Sequence, residues 1–357
     1  MKTRLCSALI FAALFFAQAA EETSYKVMIL GDIHYDDPEY HKLEPTSNAL
    51  KKEHIRNREM WKGPSFRILE SAGQCAKEKS CSLAIQVGDL AQGDADTPEL
   101  LGAMLEKAFR TVKSYFPDIP LLVVKGNHDI RGYGRTIQSP ANKVLMPLVA
   151  KEIGEGGTGS NWIYCRGKDL YIGIDGFLPE KNCVAFVEKA LREHPDTRYV
   201  FLVTHLPVIP AATDAPFWNL PGNFAIADLL EKRKTVILAG HTHTFSIGYR
   251  KSQEGTIAQI VTTSLGRDWL SGMEMKPSYE WPAIREAALK TVRGKKAEEM
   301  KLKVEAMDSK GEYSMRVYRH ISGYVVLNVG DERVEAEIYT GEEKPALTEI
   351  LLENRQE

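Results

Sequence analysis

The sequence predicts an α/β layered fold, because short apolar runs alternate along the chain with stretches of helical periodicity. The runs are rich in Val, Ile and Leu, each ends at a polar motif, and they cover residues 25–30, 83–87, 121–124, 199–203 and 235–239. Short runs of this kind are typical of strands that are buried on both faces of a sheet. Helix-compatible stretches separate the runs at residues 66–76, 99–115, 184–192 and 225–232. Strands and helices in this order favour layers of helix packed on sheet.

Further strands are predicted in the second half of the chain. Residues 161–177 indicate a hairpin, and residues 257–262 indicate a strand. Closing strands are expected at residues 313–317, 323–329 and 334–339. Residues 280–305 are charged and helix-prone, which favours a solvated helical insertion over a nucleic-acid or membrane surface. The sequence contains neither an internal repeat nor a Ser/Gly-rich linker, so residues 21–357 are expected to form a single domain.

The first twenty residues have the pattern of a secretory signal peptide. Lys2 and Arg4 precede an apolar stretch at residues 5–16, and Ala17-Gln18-Ala19 matches the small-x-small cleavage pattern. The alternative is a transmembrane anchor, but the stretch is too short to cross about 30 Å of hydrocarbon. We therefore expect residues 1–20 to be removed and the protein to be exported to the periplasm or the extracellular medium. No transmembrane segment is expected after cleavage.

Composition adds two limits on function. The 357 residues are 43% hydrophobic and 26% charged, which is ordinary for a globular protein with a sizeable core. The formal net charge is −2, so the sequence has no clear nucleic-acid surface. The oligomeric state is not specified by the sequence.

Four cysteines remain after the predicted cleavage, namely Cys75, Cys81, Cys165 and Cys183. An even number of cysteines in an oxidising compartment favours disulfides. Of the three pairings that are possible, we expect local closure, with Cys75 bonded to Cys81 and Cys165 bonded to Cys183.

The polar motifs that follow the five apolar runs together supply carboxylate, amide and imidazole donors. They are Asp32-Ile33-His34, Gly88-Asp89, Gly126-Asn127-His128-Asp129, Thr204-His205 and Gly240-His241-Thr242-His243. Ligands of α/β folds bind beyond the carboxyl ends of the strands, so we expect the motifs to converge in one crevice. Oxygen and imidazole donors of this kind suit two adjacent divalent metal ions. The spacing of Asp32 with His34, repeated by His241 with His243, is expected to place each pair on one side of a strand.

The order and spacing of these motifs resemble the calcineurin-like metallophosphoesterase superfamily, whose pattern is D-x-H, G-D, G-N-H-[D/E], H and G-H-x-H. The resemblance runs from about residue 26 to about residue 266. It implies a four-layer sandwich of two mixed β-sheets flanked by helices, with insertions near residues 36–80, 207–223 and 267–310. It also implies a hydrolase of phosphate esters with two divalent ions (Fe, Mn or Zn), in which a metal-bridging hydroxide attacks phosphorus.

The resemblance implies a role for each motif residue. One metal ion is expected to bind Asp32, His34, Asp89 and His243, and the other Asp89, Asn127, His205 and His241. His128 is expected to hydrogen-bond the phosphoryl group or to protonate the leaving oxygen. Asp129 is expected either to orient His128 or to cap a turn. The remaining histidines fit no motif and are interpreted as ordinary core or surface residues; they are His41, His54, His194 and His320.

Position 92 separates the chain from two branches of this superfamily. The purple acid phosphatases have a tyrosine three residues after the bridging Asp, whereas this chain has Gln92. The protein Ser/Thr phosphatases have a carboxylate there that pairs with the catalytic histidine, and Asp94 is displaced from it by two residues. The resemblance is therefore to the D-x-H group, which includes phosphodiesterases and phosphatases.

Substrate contacts are expected from the inserted segments. Phe217 and Trp218, in a proline-bounded loop, are expected either to stack on an organic group of the substrate or to pack the loop onto the domain. Arg131 could contact a phosphate, although a surface salt bridge is the favoured alternative. The expected substrate is a small-molecule or lipid phosphate ester.

A phosphodiesterase is favoured over a phosphomonoesterase, because no cluster of cations that would balance the extra charge of a monoester stands near the motifs. Two other functions compete with both. A non-catalytic protein that binds metal or a phosphate ligand would be favoured by the loss of a metal-binding residue. A structural surface protein would be favoured by repeats.

Overall fold

The computed structural model describes residues 24–41, 43–45, 47–154, 159–211, 219–265, 279–291, 293, 295–318, 322–340 and 344–353. The predicted signal peptide lies outside these residues, and so do Phe217 and Trp218. Within the described ranges, no helix combines the length and the apolar character that crossing a membrane requires.

The longer helices of the described chain cover the two sheets. They are α1 Asn48–Trp61, α2 Pro64–Glu78, α3 Pro98–Ser114, α4 Met146–Ile153, α5 Glu180–Glu193, α6 Asn223–Leu230, α7 Trp281–Thr291 and α8 Lys295–Asp308. Ser47 begins α1, since its hydroxyl accepts a hydrogen bond from the Leu50 N–H at 3.2 Å. Thr97 begins α3 in the same way, with Pro98 at the first helical position. The bounds of α3, α5 and α6 lie within a few residues of those predicted, whereas α1 was not predicted.

The strands follow in chain order, and the two shortest pairs lie outside the main core. They are β1 Tyr25–Leu30, β2 Leu83–Gln86, β3 Leu121–Val123, β4 Arg131–Gly132, β5 Arg135–Thr136, β6 Trp162–Arg166, β7 Asp169–Ile174, β8 Val200–Thr204, β9 Thr235–Ala239, β10 Phe245–Lys251, β11 Thr256–Val261, β12 Tyr279–Glu280, β13 Glu312–Tyr318, β14 Tyr324–Val329, β15 Arg333–Tyr339 and β16 Leu347–Glu353.

These strands form two large mixed sheets and one ribbon. The first sheet has six strands in the order β16-β15-β14-β1-β2-β3, and the second has eight in the order β12-β13-β10-β11-β9-β8-β7-β6. β1, β2 and β3 are parallel, with Val27 opposite Leu83, whereas β14 is antiparallel to β1. β7, β8, β9 and β11 are parallel in the second sheet, and β10 is antiparallel to β11. The predicted fold class, two mixed sheets flanked by helices, is confirmed.

Alternate residues of β8 show how the layers stack. Phe201 and Val203 belong to the apolar cluster that joins the two sheets and extends to α2 and α3. Val200 and Leu202 belong to a second cluster, with residues of α5 and α6 on the other face of the second sheet. Both faces of the strand are buried, which explains its uninterrupted apolar sequence. The helices therefore form the outer layers, and the paired sheets form the inner ones.

The disulfides Cys75–Cys81 and Cys165–Cys183 that the sequence suggested are wrong, since all four side chains are in the thiol form. Cys183 is buried in α5, where its thiol donates to the Asp175 carbonyl at 3.5 Å. The Sγ atom of Cys165, on the exposed face of β6, lies instead 3.8 Å from His194 Nδ1. The two side chains of this predicted pair therefore have different neighbours.

Candidate metal centre

The five polar motifs lie just past the carboxyl ends of five parallel strands, three from one sheet edge and two from the other. Asp32 follows β1, Asp89 follows β2, and Asn127 follows β3. His205 follows β8 and His241 follows β9, so the second sheet supplies imidazoles to a site that begins on the first. The predicted convergence of the motifs at these strand ends is what the structure shows.

Asp32, His34, Asp89 and His243 form the first cluster of donors, and their ligand atoms all lie within 4.8 Å of one another. The Nε2 atoms of His34 and His243 are 2.9 Å apart. His34 Nε2 is 3.8 Å from Asp89 Oδ2, and His243 Nε2 is 3.7 Å from Asp32 Oδ1. Neighbouring donors around one metal ion, each about 2.0–2.2 Å from it, have separations of this size. The four residues therefore fit a divalent ion.

Asp89, Asn127, His205 and His241 form a second cluster beside the first. Asn127 Oδ1 is 3.0 Å from His205 Nε2 and 3.0 Å from His241 Nδ1. The two ring nitrogens are 3.2 Å apart, and His205 Nε2 is 3.4 Å from Asp89 Oδ2. Asp89 belongs to both clusters, which is the position of a carboxylate that bridges two ions.

The pKa shifts in this centre have opposite signs on neighbouring groups. Burial raises the pKa of Asp32 to about 7, an effect that the charge of His205 opposes and that of Asp89 reinforces. Burial would raise the pKa of Asp89 as well, but the surrounding imidazoles, His205 first, hold it well below its ordinary value. Burial lowers the pKa of His34 far below the usual range. Such a dry cluster of carboxylates and imidazoles, without thiolate, is an environment that Fe, Mn or Zn ions stabilise.

Backbone turns, rather than strand alternation, aim the donors. His34, Asp89, His241 and His243 have φ angles of 51°, 53°, 73° and 51°, in the left-handed region that side chains rarely adopt. β1 ends at Leu30 and β9 ends at Ala239, so neither pair of donors lies on a strand. The expectation that a two-residue spacing on a strand aligns each pair is therefore wrong, although the residues do reach the centre.

Hydrogen bonds between the motif loops fix Asp89 in place. Its carbonyl accepts from the N–H groups of Ile33 and His34, both at 2.9 Å, and its Oδ1 accepts from the His128 N–H at 2.7 Å. A Cβ atom on Gly126 would lie 2.1 Å from Asp89 Oδ1, so only glycine allows this approach. His205 Nδ1 donates to the Val87 carbonyl at 3.0 Å, which directs its Nε2 lone pair to the cluster.

His128 lies at the edge of the first cluster, with its ring centroid 4.5 Å from that of His34. Its Nδ1 donates to the Gln92 carbonyl at 2.7 Å, and its Nε2 is 3.1 Å from Arg131 Nη1. Asp129 is buried, and its two oxygens accept from the N–H groups of Ala91 and Gly126, each at 2.8 Å. Of the two roles expected for Asp129, the structure thus favours the turn, because both oxygens are used by backbone.

Arg131 forms the salt bridge that was the favoured alternative to a phosphate contact. Its Nε is 2.6 Å from Oδ2 of Asp94, which is buried, and its Nη2 is 3.3 Å from Glu53 Oε2. The guanidinium nevertheless lies within the site, since its Nη1 contacts His128. Its side chain is 31% exposed, so solvent and substrate can reach it.

Sequence analysis missed the inner face of α1, which lies in the segment at residues 36–80. Glu53 Oε1 is 3.8 Å from His128 Nε2. Asn57 donates to the side chain of Gln92, and the Trp61 indole donates to the His34 carbonyl at 2.7 Å. These residues recur at helical spacing with the buried His54, which is a signal that periodicity could have given. The face is largely polar, so apolar periodicity did not indicate it.

Comparison with known proteins adds family and fold. A family model described as calcineurin-like phosphoesterase matches residues 25–245. The fold is similar to that of PhoD, with a TM-score of 0.53 and 11% identity over 92% of this chain and 68% of that one. For a dimetal phosphatase from Danio rerio the TM-score is 0.51, with 13% identity over 92% and 99% of the two chains. For GAP50, described as the anchor in the inner membrane complex of Plasmodium, the TM-score is 0.51, with 10% identity over 94% and 90%.

No curated protein sequence matches the chain. At identities of 10–13%, the solved structures establish a shared fold and nothing finer. The family model, by contrast, covers more than half of the 357 residues and includes all five motifs. The chain therefore belongs to the calcineurin-like phosphoesterase family, whose members are hydrolases of phosphate esters that use two divalent metal ions.

Proposed function

We propose that the protein is a phosphodiesterase whose two metal ions are held by the seven side chains of the two clusters. One ion would be held by Asp32, His34, Asp89 and His243, and the other by Asp89, Asn127, His205 and His241. When bound, the ions supply Lewis acidity towards phosphoryl oxygens and lower the pKa of water. The short distances within each cluster, and the place of Asp89 in both, support this assignment.

His128 would hydrogen-bond the phosphoryl group or give a proton to the leaving oxygen. Its Nδ1 is committed to the Gln92 carbonyl, so Nε2 is the atom available to a substrate. Arg131 donates towards that nitrogen at 3.1 Å and would have to share or yield the position when an ester binds. The ring is held at the rim of the first cluster by these contacts, within reach of a group bound to the ions.

The charge around Arg131 is the observation that favours diesters over monoesters. A phosphate monoester carries about −1.5 to −2 charges at neutral pH, whereas a diester carries one. Arg131 is the cation that contacts His128, but its guanidinium is paired with Asp94 at 2.6 Å and with Glu53 at 3.3 Å. Two carboxylates against one guanidinium leave this rim with a net negative charge, which repels a second charge on the substrate.

The test compares hydrolysis of bis-p-nitrophenyl phosphate with that of p-nitrophenyl phosphate by protein reconstituted with Mn, Fe or Zn. We expect kcat/KM for the diester to exceed that for the monoester by about tenfold, or about 1.4 kcal/mol of transition-state binding. Asp89→Asn serves as the control for activity that does not arise at this centre. A preference for the monoester would reject the diester assignment.

A phosphomonoesterase is the second candidate, because the Arg131 side chain is 31% exposed and could turn to a substrate phosphate. The Danio rerio protein with this fold is described as a dimetal phosphatase, which names that chemistry for a relative in structure. Absence of turnover with either substrate, in protein shown by elemental analysis to hold two metal ions, would instead favour a binding role or a strict requirement for another ester.

We also propose that the protein is exported, on the pattern of residues 1–20. Expression of the full chain in a host with a secretion pathway should give an exported form that begins near residue 20 or 21. Intact-mass spectrometry of that form measures the cleavage point. Recovery of the protein with its N-terminus intact, in the cytosolic fraction alone, would contradict export.

A further inference from the structure

Helix α1 brings a carboxylate to the rim of the metal centre from a segment outside the five motifs. Glu53 lies one residue before the buried His54, on the side of α1 that faces the site, and its side chain is 26% exposed. Its Oε2 is 3.3 Å from Arg131 Nη2, and its Oε1 is 3.8 Å from His128 Nε2. Burial acts to raise the pKa of Glu53, but His128, Gln92 and Arg131 outweigh it and hold the pKa below its ordinary value.

Asp94 and Glu53 take different edges of the Arg131 guanidinium. Asp94 contacts Nε at 2.6 Å from a buried position behind the arginine, whereas Glu53 contacts Nη2 from the solvent side. Loss of Asp94 would release the arginine from the domain. Loss of the Glu53 charge would leave the arginine anchored by Asp94 while its Nη1 and Nη2 donors turn to the site, where a planar fork suits phosphoryl oxygens.

We propose that Glu53 is a specificity-determining residue, which disfavours doubly charged phosphate monoesters by neutralising Arg131 at the rim of the centre. The inference rests on the proposed function for the identity of the reaction and the site. It adds that the choice between singly and doubly charged esters is set from α1, outside the motifs that hold the metal ions.

The test is Glu53→Gln, which keeps the size and hydrogen-bonding capacity of the side chain and removes its charge. We expect the ratio of kcat/KM for p-nitrophenyl phosphate to that for bis-p-nitrophenyl phosphate to rise about tenfold relative to the unmodified protein, as one unit of charge is removed beside the substrate. The matched control is Glu59→Gln on the same helix, whose side chain is 63% exposed and pairs with Lys62 at the surface. That variant should leave the ratio unchanged.

The proposed function and this inference fail in different measurements. The ratio in the unmodified protein tests the diester preference, whereas the change in that ratio on Glu53→Gln tests the role of Glu53 whichever ester is preferred. An unchanged ratio, or an equal fall in activity towards both esters, would overturn the inference. Circular dichroism and thermal melting check that the variant is folded, and Glu53→Ala provides a second neutral side chain.

A double variant tests whether Glu53 acts through the arginine. In an Arg131→Gln background there is no guanidinium to neutralise, so Glu53→Gln should change the ratio by less than about threefold, since coupled residues are not additive. A tenfold rise in that background would overturn the proposal that Glu53 acts by neutralising Arg131.

Discussion

Substitution of Asp89 by Asn is expected to lower kcat/KM for a phosphate ester by about a thousandfold or more, because this carboxylate belongs to both donor clusters. The substitution removes one negative charge from a buried site that is proposed to hold two divalent ions. It also replaces one carboxylate oxygen by an amide N–H₂ group, which cannot bind a metal. The amide oxygen that remains can still accept the hydrogen bond from the His128 N–H, which is 2.7 Å from Oδ1 in the unmodified protein. The fold should therefore persist while the metal content falls.

The measurement is metal content per chain by elemental analysis, together with diester hydrolysis under saturating Mn. We expect about two ions per chain in the unmodified protein and fewer in the variant. The control is Asp196→Asn, which removes the same charge from an exposed position before β8 and should alter neither quantity. Two ions per chain with full activity in the Asp89 variant would exclude Asp89 as the bridging residue.

The strands that the sequence predicted best are those buried on both faces. β1 and β9 have the predicted bounds, because an uninterrupted apolar run has few alternatives in a layered fold. β10 was not predicted, since it contains Arg250, an uncommon residue for an interior strand. Arg250 is 2% exposed and is compensated by Asp228 at 2.7 Å and Glu231 at 3.0 Å. Its partners come from α6 and its C-terminal end, and no local pattern announces such a tertiary ion pair.

The candidate site divides in the same way. The rule that ligands gather at strand ends brought the seven donors together correctly, but it did not give their directions, which depend on left-handed turns such as that at Asp89. The rim of the site comes from tertiary contacts alone. Glu53 reaches Arg131 across 78 residues of sequence, and Asn57 reaches Gln92 across 35. A polar helix face gives no hydrophobic signal until the loop that it covers is known.

Substitution of Lys125 by Met is expected to lower the free energy of unfolding by about 3–5 kcal/mol, the range for breaking a buried ion pair at one partner. Lys125 is fully buried between β3 and the Gly126-Asn127 turn, and its Nζ is 2.6 Å from Asp175 Oδ2. The same ammonium donates to Gln138 at 3.0 Å and to Asn142 at 2.7 Å, so three acceptors match its three protons. Asp175 follows β7 in the other sheet, and the pair thus joins the two sheets beneath the metal centre.

The expected loss arises from the partner that remains, rather than from the net worth of the pair. In Lys125→Met, the Asp175 carboxylate stays buried with one hydrogen bond, from the Phe177 N–H at 3.1 Å to Oδ1. The double variant Lys125→Met/Asp175→Asn removes that uncompensated charge and keeps an acceptor for Phe177. It should recover about 1–3 kcal/mol relative to the single variant. Urea unfolding followed by tryptophan fluorescence, with equal slopes in all variants, measures these differences.

The control for this cycle is Lys189→Met on α5, whose side chain is 59% exposed and 3.9 Å from Glu193. It should change stability by less than about 0.5 kcal/mol, because exposed ion pairs are screened by solvent. If Lys125→Met behaves like this control, the pair does not hold the sheets together. If it is destabilised and the double variant is not improved, the loss comes from packing around the lysine stem. Recovery in the double variant alone would show that charge compensation between the sheets supports the turn that carries Asn127 and His128.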